Sequence, residues 1–138
     1  MSYEEVVKGL STRLPNVSGL NAGNLFAYEP QTLQDLPSCY FVLDRSEGSI
    51  AGQVRIEHYR VRITVCIRWQ DNEAAEVELA NFVDKIMGGL LPSPFFSATL
   101  FVNAQRGWER DAYYITIAGA KYRALDTYVW VTEKVTYP

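Results

Sequence analysis

Residues 53–69 read QVRIEHYRVRITVCIRW, and this stretch decides the fold. Tyr59, Val61, Ile63, Val65, Ile67 and Trp69 alternate with Arg60, Arg62, Thr64, Cys66 and Arg68. Alternation with a period of two over this length marks a β-strand with one apolar face and one polar face. Before Tyr59 the phase is reversed, with Val54 and Ile56 apolar and Arg55 and Glu57 charged. A slip of one residue exchanges the two faces, so the pattern predicts a bulge or bend near Glu57 and His58. At roughly 3.3 Å per residue the strand reaches about 50 Å. A chain of 138 residues needs less than that for its core, and part of a long β-hairpin is expected to project.

Working back towards the N-terminus, residues 45–52 (RSEGSIAG) read as the hairpin loop, and 39–43 (CYFVL) as its first strand. That run is apolar at successive positions, which predicts a central strand covered on both sides. Residues 25–28 form a short strand, joined to it by an irregular segment holding Leu33, Leu36 and Pro37. A helix is expected over 3–14. Ser2 and Glu5 make a capping box, Tyr3, Val7, Leu10 and Leu14 share one face, and Pro15 stops it.

Working forward, a second helix is expected over 72–90. Asp71 or Asn72 can cap it, and Glu73 and Glu76 suit its first turn. Leu79, Phe82, Val83, Ile86, Met87 and Leu90 form its apolar face, and the Gly88–Gly89 pair and Pro92 end it. Strands follow over 98–102, 113–117 and 122–135, with a polar loop over 103–111 and a turn over 118–121. The order is α–β–β–β–α–β–β–β. It predicts an α+β fold, a mostly antiparallel sheet with two helices packed on one face. With no linker and no repeat, residues 1–138 are read as one domain.

Composition narrows function by exclusion. A net charge of −3 disfavours binding that works by neutralising phosphates. The opening MSYEEVV has neither the basic nor the apolar region of a signal peptide, and no apolar run approaches the ~20 residues that span a bilayer, so no membrane partner is expected. Cys39 and Cys66 fit no zinc motif and are read as reduced, buried residues of a protein made in cytoplasm. His58 is the sole histidine, and on a regular strand Glu57 and Tyr59 face away from it. Glu4, Glu5, Asp71, Glu73, Glu76 and Glu78 lie in or near first helical turns, where carboxylates favour the dipole. No catalytic, cofactor-binding or metal-ligating constellation emerges, so an enzyme is not expected and no cofactor is assigned.

The charge layout is more informative. Residues 54–68 carry a balance of +3, and 71–91 a balance of −4. Three arginines on one strand face resist burial in a monomer, and an acidic helix offers them partners in a neighbouring subunit or in their own. Arg55, Arg60, Arg62, Arg68, Glu76, Glu78 and Asp84 are therefore candidate subunit-interface residues.

The order of segments across 3–135 resembles the tail terminator, or tail completion, proteins of long-tailed bacteriophages. The likeness rests on the opening helix EVVKGL (5–10), the short strand LFAY (25–28) leading through Leu36–Pro37 to 39–43, and the long strand YRVRITV (59–65). It continues through the acidic helix EAAEVEL (73–79) to the closing strands YRAL (122–125) and YVWV (128–131). The resemblance implies a structural virion protein at the head-proximal end of the tail, made in the host cytoplasm. It implies a homo-hexameric ring that caps the tail tube, ends tube polymerisation and presents the joining surface to the head. The tube protein and a neck or head-completion protein are the implied partners, and DNA crosses the lumen without specific binding. Glu47, Ile50, Arg106 and Trp108, in the two loop groups, are then candidates for docking to tube or neck. Two alternatives stay open: a head-closure, neck or other tail ring protein, and a cytosolic α+β ligand-binding module or enzyme.

Overall fold

A computed structural model gives the fold for residues 2–17, 20, 22–33, 36–69 and 73–136, without the side chains of Ser2, Ala22 and Val83. The Ser2–Glu5 capping box, the Asp71 or Asn72 cap and the burial of Val83 lie outside what is described. The long strand is β3, Val54–Arg68, and it occupies the middle of a six-stranded sheet. On one side lies β2, Ser38–Ala51, then the short β1, Leu25–Phe26, parallel to it. On the other lies β6, Ala120–Thr136, whose far side carries β4, Leu100–Val102, and β5, Trp108–Ile117. Every pairing except β1–β2 is antiparallel. The two helices are α1, Ser2–Arg13, and α2, Glu73–Leu90. The α+β architecture is the one the alternation and the element order imply.

Both helices pack on one face of the sheet. Val6 and Leu10 from the first, Leu14 from the 3₁₀ turn that follows it (Leu14–Asn16), and Leu79, Phe82, Ile86 and Leu90 from the second, join Cys39, Phe41, Val61, Ile63, Val65 and Ile67 in a single core. Gly9 permits the close approach of the segment before β4, since a Cβ there would lie 2.5 Å from the Phe96 ring. A smaller cluster on the opposite face gathers Tyr40, Cys66 and Ala124 under Phe26, Leu33 and Tyr113. Residues 39–41 are thus covered on both faces, as their composition implies.

Three expectations need correction. The bulge is on β2, at Asp44 between Leu43 and Arg45, while β3 pairs with β6 in unbroken register from Val54 to Arg68. The phase reversal has another cause: Arg55 and Glu57 stay on the helix face of β3 but lie beside Glu133, with which Arg55 forms an ion pair. Residues 45–52 are mostly paired strand rather than loop, because β2 follows β3 to a tight turn at Gly52, where φ is +63°. Residues 103–111 likewise divide into a short 3₁₀ turn, Ala104–Arg106, and the start of β5. A two-residue turn at Ala118 and Gly119, both with positive φ, closes the β5–β6 hairpin tightly.

β6 accompanies the β2–β3 hairpin as far as the pair Val54–Thr136. Beyond Glu133, where β4 stops pairing with β6, the expected hairpin is therefore a three-stranded arm. Along the sheet's outer edges, β2 beyond Tyr40 and the whole of β5 have no strand partner among the described residues.

Candidate functional site

The sheet face away from the helices carries Arg60, Arg62 and Arg68, as alternation on β3 requires. Arg60 and Arg62 find partners within their own subunit, though not on the acidic helix. Arg60 bonds Asp44 at 3.1 Å and Glu109 at 2.9 Å, and its guanidinium lies 4.3 Å from the centre of the Tyr128 ring. Arg62 lies 3.5 Å from Glu29. Arg68 is exposed at the end of β3. Arg55 belongs to the opposite face, between Glu133 at 3.4 Å and Glu57 at 3.9 Å.

The acidic helix does not meet the three strand arginines within the chain, because the sheet stands between them. Glu76 instead receives two bonds from Arg123 on β6, at 2.9 and 3.2 Å. This fork holds the Glu76 carboxyl below its ordinary range, and Arg123 in turn stacks on Tyr114 at 4.5 Å. Glu78 and Asp84 are exposed on the outer side of α2. Arg123 was not singled out from sequence. The sequence offers it only as one of three cations on β6, with nothing local to tie it to the acids of α2.

The structure brings together two of the four docking candidates. Glu47 and Arg106 come from the two separate loop groups, yet they form an ion pair at 3.0 Å. Arg45 also reaches Glu47 at 3.0 Å, and Arg106 lies 4.0 Å over the Trp130 ring. Ile50 is 72% exposed near the tip of the arm, and Trp108 is 37% exposed at the start of β5, both on the helix side of the sheet.

His58 sits beside this group. Its Nδ1 is 2.8 Å from the Thr132 hydroxyl, which also accepts from the Asn103 amide at 3.0 Å, and its ring meets Trp130 edge-on. Burial pushes the imidazole pKa down, and the nearby Arg106 and Lys134 act the same way against Glu47 and Glu57. Glu57 and Tyr59 point to the other face, so no histidine–carboxylate dyad forms on β3.

A buried polar chain lies further along the same face. Thr64 donates to Asp126 at 2.6 Å and the Tyr113 hydroxyl donates to the same oxygen at 2.9 Å. Burial first, and then the Asp126 carboxylate, push the Tyr113 phenol up, and burial pushes Tyr40 up to about 12. These groups are held in their protonated forms, which suits structural hydrogen bonding rather than proton transfer near neutrality. Cys66 is pushed up to about 12 by burial, and Cys39 is raised in the same way, so neither supplies a thiolate.

Among the described residues, no group of three His, Cys, Asp or Glu side chains is placed to hold a metal ion. Two surface grooves lie between α1 and residues 96–100, about 580 Å³, and beside the β1 segment, about 470 Å³. Neither lining puts a nucleophile next to a base. No described helix is long and apolar enough to cross a membrane. No protein-family model matches the chain, and no curated protein matches it.

Proposed function

We propose that the chain is a structural virion subunit of a long-tailed phage. Copies form a ring that caps the tail tube, ends its polymerisation and provides the surface that joins the head. The observation that supports this reading is the three-stranded arm. Beyond the helices, β2, β3 and β6 continue together to Ala51, Val54 and Thr136, stitched by Arg55–Glu133 and Arg106–Glu47. A stiff, charged extension of a sheet is a means of reaching a neighbouring molecule, and outward of Leu43, Tyr59 and Val131 it adds no residue to the buried apolar core among the described residues. The polar groups that a reaction centre would use are engaged in strand-to-strand bonding instead. An acidic chain, with its net charge of −3, also suits a passage that DNA crosses without being gripped.

Phage particles made without this protein test the assignment. The expected result is filled heads together with overlong tails that fail to join them. Tails of normal length that fail to join heads would move the protein to the neck. Normal, joined tails would end the virion reading.

A further inference from the structure

We propose that β5 of one copy of this chain adds as an antiparallel strand to the free edge of β2 in the next copy. The proposal rests on the ring reading only in taking a second copy as the occupant. The two edges have no strand partner among the described residues. They also hold four of the eight exposed large hydrophobic side chains among the described residues: Leu43 and Ile50 on β2, Trp108 and Tyr114 on β5. All four lie on the helix side of the sheet, since their register partners are Val61, Arg55, Val129 and Arg123.

Their spacing matches. Trp108 and Tyr114 are six residues apart on β5. Leu43 and Ile50 are seven apart, but Asp44 is the extra residue of the bulge, and their partners Val61 and Arg55 are six apart. An antiparallel joint can therefore set Trp108 opposite Ile50 and Tyr114 opposite Leu43 in one register. On the other face the same register sets Ile115 opposite Val42 and Tyr113 opposite Arg45. A slip of one residue turns the apolar groups to opposite faces, and a slip of two separates both pairs. The ladder ends at Val42, short of the place where β1 already occupies the edge at Tyr40.

Strand direction selects a head-to-tail joint. Through β2, β3, β6 and β5 the direction alternates, so the two edges run oppositely. A rotation from one copy to the next brings opposite-running edges together and keeps the helices on one side. Such a heterologous contact closes into a ring if the rotation closes. A two-fold joint of β2 with β2 leaves Trp108 and Tyr114 bare. The head-to-tail joint uses both edges of every copy, by the same main-chain pairing with which proteins recognise extended peptides. It carries one repulsive pair, Glu47 opposite Asp111, softened by the bonds Glu47 already makes to Arg45 and Arg106.

The test uses native mass spectrometry and sedimentation of the full chain with Ile50→Lys and Tyr114→Lys, whose side chains are exposed in the monomer; melting curves check that each variant is folded. Wild type is expected to form closed oligomers, and each variant alone to fall to monomer. A mixture is expected to stop at heterodimers, because one variant keeps only its β5 row and the other only its β2 row. Asp111→Lys is expected to tighten the joint about two- to five-fold by turning the repulsive pair into an attractive one. Wild type that stays monomeric overturns this joint and the ring reading together. Rings that survive both lysine variants overturn the joint and leave the ring reading standing. Tyr114→Lys that still assembles while Ile50→Lys does not shows a two-fold β2 contact, and weaker assembly of Asp111→Lys shows another register; either overturns the proposal.

Discussion

Between Val61 and Ile67 the inner face of β3 is sealed under α1 and α2, whereas from Arg55 to Tyr59 the same face emerges into a region of ion pairs. The backbone does not change across this divide, and the β3–β6 ladder runs through both halves without a break. What changes is the material on the inner face. In the covered half, Phe82, Ile86 and Leu10 exclude water from valines and isoleucines, and burial of apolar surface stabilises the structure. In the arm, Glu133 is buried to 3% exposure with Arg55 and Glu57 beside it, and Tyr59 meets Tyr3 at the boundary. Regular strand geometry alone therefore says little about what holds a strand in place, because the side chains decide it segment by segment.

The largest expected effect belongs to the covered half. Phe82→Ala should cost about 3–5 kcal/mol in equilibrium denaturation, since its side chain is 2% exposed and its loss opens a cavity between helix and sheet. A cost below 1 kcal/mol would show that the helix packs loosely and would remove the contrast. In the arm, Arg55→Met should cost less, about 1–3 kcal/mol, by leaving the buried Glu133 carboxylate without that cation. Hydrogen exchange should place this loss in residues 47–57 and 131–136 and spare α2. Uniform loss of protection would mean that arm and core unfold as one unit.

Smaller effects are expected on the outer face. Arg60→Ala should change stability by about 1 kcal/mol or less, since its pairs with Asp44 and Glu109 are partly in solvent. His58 supplies a pH signature for the arm. Its folded pKa lies below the ordinary value, so the unfolded chain takes up the proton first as pH falls. Its contribution is fully present above the unfolded imidazole pKa and is lost as pH falls towards the folded one. His58→Gln should remove that part of the slope in thermal melts between about pH 7 and 5, and an unchanged slope would assign it elsewhere.

Much of the architecture was legible along the chain. The alternation of 59–69, the apolar stripe of α2 and the stop at Pro15 locate elements because each depends on residues only a few positions apart. The bulge was misplaced for the converse reason. Arg55 and Glu57 look like a change of phase until Glu133, nearly eighty residues away, is seen beside them. The apparent loops 45–52 and 103–111 are strand for the same reason, since glycine and charge suggest a turn while pairing with β3 and β6 overrides local preference.

The candidate site was legible as residue types and not as pairs. Sequence alone determined that arginines gather on one face of a long strand and acids on one helix. Only the tertiary structure decided that the sheet separates those groups, so that Arg60 and Arg62 turn to Asp44, Glu109 and Glu29 while Glu76 turns to Arg123. Alternation assigns a side chain to a face, which is a property of one strand. The partner it finds there depends on which strands the topology places alongside, and that is set by the burial of a core drawn from every part of the chain.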